Sequence, residues 1–380
     1  MPRVLHPAAL FCGQRPVRRH FGKQEGFMRI FVINPGATST KIAIFEEETA
    51  VFSKTITHDA DALVPFSQVL DQVEYRLALI RQALEESGFR LQELDAICAR
   101  GGLLRHIPAG TYRITDRVLA DIYHPPYGEH AANLGVVLAD RLARPAGLPA
   151  FFVDPVSVDE LSDLARISGC AGMERESFFH ALNQKCAARK AAQQLGKPYD
   201  ALRLVVAHLG GGVSVAAHDH GRVIDNYNVK DDGAMGMDRG GALPVGAVVK
   251  LCFSGLTQAE VQAKLGSRAG VFSYLGTRDL RQVERRAFQE ADAQALQIFQ
   301  ALAYQLAKDI GAMAAVLRYQ VDAIVYTGGM AHSDRLCREI SSYVGPLAPV
   351  LRFPGEFEMQ ALAAGALRVL HGQPVLDYCP

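Results

Sequence analysis

Apolar residues come in short runs along this chain, and the runs break at glycine and hydroxyl side chains. Arg29-Ile30-Phe31-Val32-Ile33 leads into Asn34-Pro35-Gly36-Ala37-Thr38-Ser39-Thr40, and the apolar pattern resumes as Lys41-Ile42-Ala43-Ile44-Phe45. Two strands joined by a small-residue turn predict a hairpin rather than a strand feeding a helix. The same unit recurs: residues 202–207 form an apolar run, His208-Leu209-Gly210-Gly211-Gly212 a turn, and residues 213–217 resume before His218-Asp219-His220-Gly221 turns the chain again. The chain therefore reads as duplicated.

Between the two units, residues 67–87 place Val69, Leu70, Val73, Leu77, Ile80 and Leu84 mostly three and four residues apart, which predicts an amphipathic helix that Gly88 terminates. Short strands follow at 94–99, 150–153 and 323–326, ending respectively at Arg100-Gly101-Gly102, Asp154-Pro155 and Thr327-Gly328-Gly329. Residues 285–317 have helix-forming composition throughout, and residues 359–370 predict a last helix. The class is α/β, with polar groups gathered at strand ends, where such folds hold ligands.

At 380 residues and 49% hydrophobic, the chain can bury the cores of two or three domains. Forty basic residues balance forty acidic ones, so nothing favours nucleic acid or an anionic membrane as a partner, and small neutral or anionic ligands fit better. Seven cysteines with no Cys-x-x-Cys pair suggest neither a disulfide framework nor a zinc site, and are read as reduced thiols in a cytoplasmic protein. No apolar window of about 18 residues predicts a membrane-spanning helix. Residues 1–27 carry five basic residues and one acid, leaving 35 basic against 39 acidic in the body. His6 and Pro7 interrupt their apolar stretch and no small-residue cleavage site follows, so they are expected to be a disordered extension before Met28 rather than a secretory signal.

Glycine turns beside hydroxyls suit phosphate, because a missing side chain lets backbone N–H groups approach an oxygen anion. Gly36, Thr38, Ser39 and Thr40 in the first turn, and Gly210, Gly211 and Gly212 in the second, are the candidate phosphate contacts. Neither turn is a Walker A loop: Gly36 to Lys41 lacks the second glycine and opens a strand. Taken singly, each turn could equally be a plain hairpin. His218 and His220 around Asp219 invite a metal reading, against which stands a simple exposed turn.

Taken in order, several motifs resemble butyrate kinase, in the acetate and butyrate kinase group of the actin-like ATPase superfamily. Besides the two turns they are Ala99-Arg100-Gly101-Gly102-Leu103, Gly128-Glu129-His130-Ala131, Val153-Asp154-Pro155-Val156, Phe179-His180-Ala181-Leu182-Asn183-Gln184-Lys185, Tyr274-Leu275-Gly276-Thr277 and Tyr326-Thr327-Gly328-Gly329-Met330. The resemblance runs from Met28 to about Leu370. It implies two duplicated actin-like (ribonuclease H-like) domains flanking an ATP cleft, the first from 28 to 154 plus about 356–380, the second from 155 to 355. It also implies ATP-dependent, reversible phosphorylation of a short-chain or branched-chain fatty acid to an acyl phosphate, with ATP/ADP and Mg²⁺ as cofactors and a homo-oligomer, dimer or higher, as the assembly. An acetate or propionate kinase, or a non-catalytic nucleotide-binding regulator of the same fold, are the alternatives.

The resemblance also assigns roles. Arg100 and Arg239 become the cations at the carboxylate and the transferring phosphoryl group, His208 a donor to the phosphoryl oxygens, and His130 and His180 substrate-pocket residues. Asp154 would position metal and substrate, Asn34 and Glu358 would organise Mg²⁺ with Glu356 as a substitute for Glu358, and Gly328 and Gly329 would admit the adenosine. A carboxylate is already ionised at neutral pH, so the nucleophile needs no general base. The sequence departs from the family pattern at Asp232-Gly233-Ala234-Met235-Gly236-Met237-Asp238-Arg239-Gly240-Gly241-Ala242, where a proline-containing segment and Arg-Ser-Gly are usual.

Overall fold

The computed structural model describes residues 26–379, so the extension expected over residues 1–27 lies outside the described residues except for Gly26 and Phe27. The first sheet holds β1 (Arg29–Pro35), β2 (Ser39–Glu46), β3 (Thr49–Thr57), β4 (Ala96–Arg100), β5 (Thr111–Arg113) and β6 (Ala150–Val153) in the order β3-β2-β1-β4-β6-β5. The second holds β7 (Arg203–Leu209), β8 (Val213–Asp219), β9 (Arg222–Asn226), β10 (Ala323–Gly328) and β11 (Val350–Pro354) in the order β11-β10-β7-β8-β9.

The two sheets repeat one plan. In each, an antiparallel meander of three strands opens the unit, and the first of them pairs in parallel with a later strand. A parallel neighbour requires a long crossover, which the intervening helices supply. The duplication expected from the paired hairpins is thus a duplication of whole sheets, and the topology is that of two ribonuclease H-like units, an actin-like α/β fold. Both hairpins close tightly, with Pro35 opposite Thr40 in one and Leu209 opposite Val213 in the other.

Central strands are apolar throughout because both faces of each sheet are covered. On one face of the first sheet, Phe31, Ile33, Ile97 and Phe152 pack with Leu77 and Ile80 of the helix Val73–Glu86 and with the helix Asn133–Ala146. On the other face, Ile30, Val32 and Val153 meet Ala361, Leu362 and Ala366 of the helix Glu358–Leu370. The chain end therefore returns to the first sheet, and Tyr378 joins its core. The second sheet is covered by the helix Ala293–Val316 on one side and by Ala187, Ala188 and Ala191 of the helix Ala181–Leu195 on the other. Leu182 of that last helix packs into the same cluster as Leu362, so two helices fill the space between the sheets.

Two sequence expectations are corrected here. The helix expected over 285–317 is interrupted: one helix ends at Phe288, Ala291 takes a left-handed φ of 55°, and Asp292 caps the next by accepting from Ala295 N–H at 3.0 Å. His218 is fully buried rather than exposed in a turn, held by Tyr199 OH at 2.7 Å and Gln184 Oε1 at 3.1 Å. Among the described residues no helix is long and apolar enough to cross a membrane.

Candidate functional site

The segment from Gly355 to Glu358 runs between the sheets and links both hairpins by side-chain hydrogen bonds. Asn34, at the end of β1, donates through Nδ2 to Glu358 Oε2 at 2.7 Å, and Arg100, at the end of β4, pairs with Glu358 Oε1 at 3.0 Å. One residue earlier, Phe357 N–H donates to Asn183 Oδ1 at 2.9 Å, and Asn183 Nδ2 bonds His208 Nδ1 at 2.8 Å and Thr327 Oγ1 at 3.0 Å. His208 is the penultimate residue of β7, immediately before the second glycine turn. An unbroken path of short contacts thus joins the first hairpin to the second.

The histidines collect on this path. The rings of His180 and His208 stack at 3.7 Å between centroids and 10° between planes. Burial pushes His208 down to about 3, with the Arg100 charge adding to it, and the same burial, helped by His208, Arg100 and Arg239, holds His180 well below the usual range. His130 lies open to solvent on the cleft wall, yet enough protein surrounds its ring to lower it too, followed by Arg100 and Arg239 and opposed by Glu358. Arg100 thus acts on three histidines from different elements, and Arg239 on two of them, His180 and His130, which places both guanidinium groups near one cleft. All three imidazoles are neutral near pH 7.

His208 carries its proton on a defined nitrogen. Asn183 Oδ1 accepts the backbone N–H of Phe357, so its amide nitrogen must face His208 Nδ1, which accepts. The hydrogen is then on Nε2, which lies against the turn at Gly210. His180 is oriented by Ser214, whose hydroxyl lies 2.8 Å from Nδ1.

Arg239 reaches the second turn although its loop departs from the family pattern. Met235 and Met237 are buried in the core of the second sheet, and Met237 N–H donates to Gly211 O at 3.0 Å. Asp309 and Gln305 of the helix Ala293–Val316 accept from Ala234 N–H at 2.6 Å and Met235 N–H at 2.9 Å. Apolar anchors and two side-chain acceptors do here what proline rigidity would do elsewhere. The Arg239 side chain passes beside Gly212 and has no acidic partner among the described residues.

Other candidates sit differently. Gly36, Thr38 and Ser39 form the open tip of the first turn, but Thr40 is fully buried, with its hydroxyl 3.0 Å from Arg76 Nη1 and 2.9 Å from His58 Nε2, so it faces away from any ligand. Asp154 lies beside Arg100 at the neighbouring strand end but is turned inward: its buried carboxylate accepts from Gly110 N–H at 2.7 Å and lies 3.9 Å from Arg189. The space where Gly328 would carry a Cβ is filled by the Leu209 backbone, whereas Gly329 faces open space. Of this glycine pair only Gly329 can admit a ligand. Glu356 is raised by burial and then by Glu358, as two adjacent carboxylates should be.

Asn183, Ser214 and Thr327 orient the site and were not singled out in the sequence. All three do lie within its motifs, and their spacing from His180, Gly212 and Gly328 was the available signal.

Residues 172–344 match the model of the Acetokinase family. That span carries His180, His208, the second glycine turn, Arg239, Gly328 and Gly329. Among solved structures, the chain is similar to acetate kinase of Porphyromonas gingivalis, at 20% identity, 90% of this chain and 100% of that one, with a TM-score of 0.75. A propionate kinase from Francisella tularensis subsp. tularensis SCHU S4 matches at 17% identity over 89% and 98%, with a TM-score of 0.70, and acetate kinase from Entamoeba histolytica at 15% over 89% and 99%, with 0.73. At such identities the likeness establishes the fold.

Proposed function

We propose that this protein is an ATP-dependent carboxylate kinase that phosphorylates a short-chain or branched-chain fatty acid, reversibly, to an acyl phosphate. The observation that carries the reading is the cleft itself: two small-residue hairpins from duplicated sheets, joined through Glu358, Asn183 and His208, with Arg100 acting on His130, His180 and His208 and Arg239 on the first two. A cleft that sets two guanidinium groups and neutral N–H donors around its centre suits an anionic nucleophile, which needs no general base, meeting a phosphoryl group. Catalysis there rests on charge neutralisation and alignment.

In this reading the first turn and the N–H groups of Gly210, Gly211 and Gly212 hold the polyphosphate, and Gly329 leaves room for the adenosine. Arg100 and Arg239 neutralise the acid and the transferring group, while His208 and His180 donate from Nε2. Asn34, Glu356 and Glu358 fit Mg²⁺. Two carboxylates crowd together, and no group of three or more His, Cys, Asp or Glu among the described residues is placed to wrap a metal. A cation that keeps most of its water and takes phosphate oxygens needs no more than this. When bound, it would neutralise the polyphosphate charge. Asp154 acts from behind, holding the β6 end against Gly110.

The butyrate-like preference rests on the resemblance of the whole ordered set of motifs to butyrate kinase; acetate or propionate kinase activity is the competing reading and differs only in pocket volume, where each methylene is worth only about 1–3 kcal/mol. Hydroxylamine trapping after incubation with Mg-ATP and acids from acetate to valerate, including isobutyrate, tests both. An acyl hydroxamate formed best from butyrate or isobutyrate is expected. A maximum at acetate would replace the preference, and no product from any acid would overturn the activity.

A further inference from the structure

The face of the helix Val73–Glu86 that carries Val73, Leu77 and Ile80 into the core also carries an arginine. Arg76 is 1% exposed, and no acidic side chain pairs with it among the described residues. Its guanidinium reaches instead into the underside of the first hairpin. Nη1 donates to Gly36 O at 2.9 Å, Ser39 O at 3.3 Å and Thr40 Oγ1 at 3.0 Å, and Nη2 donates to Ala37 O at 3.1 Å. Gln72 Oε1 takes the remaining edge from Nε at 3.0 Å and from Nη2 at 2.7 Å.

This changes what the turn presents to the cleft. Thr38 O accepts from His58 N–H at 2.9 Å, so every carbonyl from Gly36 to Ser39 is drawn to the protein side. The amides of Ala37 and Thr38 and the hydroxyls of Thr38 and Ser39 donate to nothing among the described residues, and Ala37 and Thr38 are exposed. Carbonyls on one side and free donors on the other make an anion-binding concavity. A buried charge left without a counter-ion is costly.

We propose that Arg76 is the positioning residue of the first phosphate hairpin: it draws the turn's carbonyls inward, and its charge is balanced by the nucleotide polyphosphate bound on the opposite side. The proposal rests on the carboxylate kinase reading for the identity of the anion. His58, on the other side of Thr40, is pushed down to about 4 by burial and then by Arg76, so it adds no competing charge.

The test is calorimetric affinity for ATP and for adenosine in the wild type, Arg76→Gln and Arg76→Lys, with steady-state kinetics on the same preparations. Arg76→Gln is expected to weaken ATP roughly 10- to 100-fold while adenosine changes less than about 2-fold, the scale of losing charge-assisted hydrogen bonds. The kinetic loss should fall on KM for ATP and leave KM for the acid near its wild-type value. Arg76→Lys keeps the charge without the fork and should fall between. An unchanged ratio of ATP to adenosine affinity in both variants, or equal loss of both ligands alongside a lower Tm, overturns the role. Should Arg76→Gln not fold, the ratio measured in Arg76→Lys decides alone. Wild-type protein that binds ATP but makes no acyl phosphate would sink the carboxylate reading and leave Arg76 judged on its affinities; wild-type protein that binds no ATP would sink both.

Discussion

His208 enters the cleft as a neutral donor because Asn183 fixes its tautomer, and that makes Asn183 a sensitive position. Asn183→Asp keeps the acceptor for Phe357 N–H but offers His208 Nδ1 another acceptor, so the ring proton should move to Nδ1 and leave a lone pair facing the second glycine turn, where the proposed reaction would place the phosphoryl group. Loss of one such donor typically costs about 10²–10³ in kcat. The expected result is a fall of that size in kcat with nearly unchanged KM for ATP; equal kcat in the two proteins would remove His208 from the chemistry. Arg100→Ala and Arg239→Ala are expected to cost more, about 10³-fold or beyond, with ATP affinity largely kept. Near-normal turnover in both variants would show that these arginines hold the loop and the strand end only. Most of these residues could be named from their motifs, since a histidine before a glycine turn or an arginine at a strand end is marked by its neighbours. Arg76 could not, because a lone arginine in an amphipathic helix carries no sign of which way it points.

At the scale of elements, the loop from Gly233 to Gly241 carries the largest departure from the expected pattern, and it is fastened by Asp309. Burial raises this carboxyl to about 7, against the Ala234 N–H and the Lys308 charge that lower it, and Asp232 adds to the rise. In the unfolded chain an aspartate titrates near 3.9. The folded state therefore keeps a proton that the unfolded chain has lost between about pH 4 and 7, and this contribution to stability disappears as pH rises through 7. Asp309→Asn keeps an oxygen for Ala234 N–H and carries no charge. Its stability relative to the wild type should grow from pH 5 to pH 8 by up to roughly 3 kcal/mol, read from urea midpoints. A difference that does not change with pH would show that Asp309 is not titrating in this window. The hairpins were legible because strand, small-residue turn and strand form a local pattern. The break at Ala291 and Asp292 was not, because helix-forming composition continues across it and only the capping geometry ends the first helix.

At the scale of the molecule, two repeated sheets meet along the helices Ala181–Leu195 and Glu358–Leu370, and the segment Gly355–Glu358 crosses between them. Closure of such a cleft excludes water, which protects an acyl phosphate. The radius of gyration from solution scattering is expected to fall when Mg-ATP and butyrate are added together, and by less with either alone; a constant value would argue for a preformed, closed site. Strands β1, β2, β4, β6, β7, β8 and β10, both glycine hairpins and their repetition were determined by the sequence alone, because each depends on residues within a few positions of one another, whereas β3, β5, β9 and β11 were not read from it. What only the tertiary structure decided is direction. Thr40 and Asp154 turn inward, Gly328 is filled by Leu209, and Arg76 reaches beneath the turn 36–40 residues before it. Each of these depends on partners distant in the chain, whose competition for the same hydrogen bonds is settled only when the sheets and helices have packed.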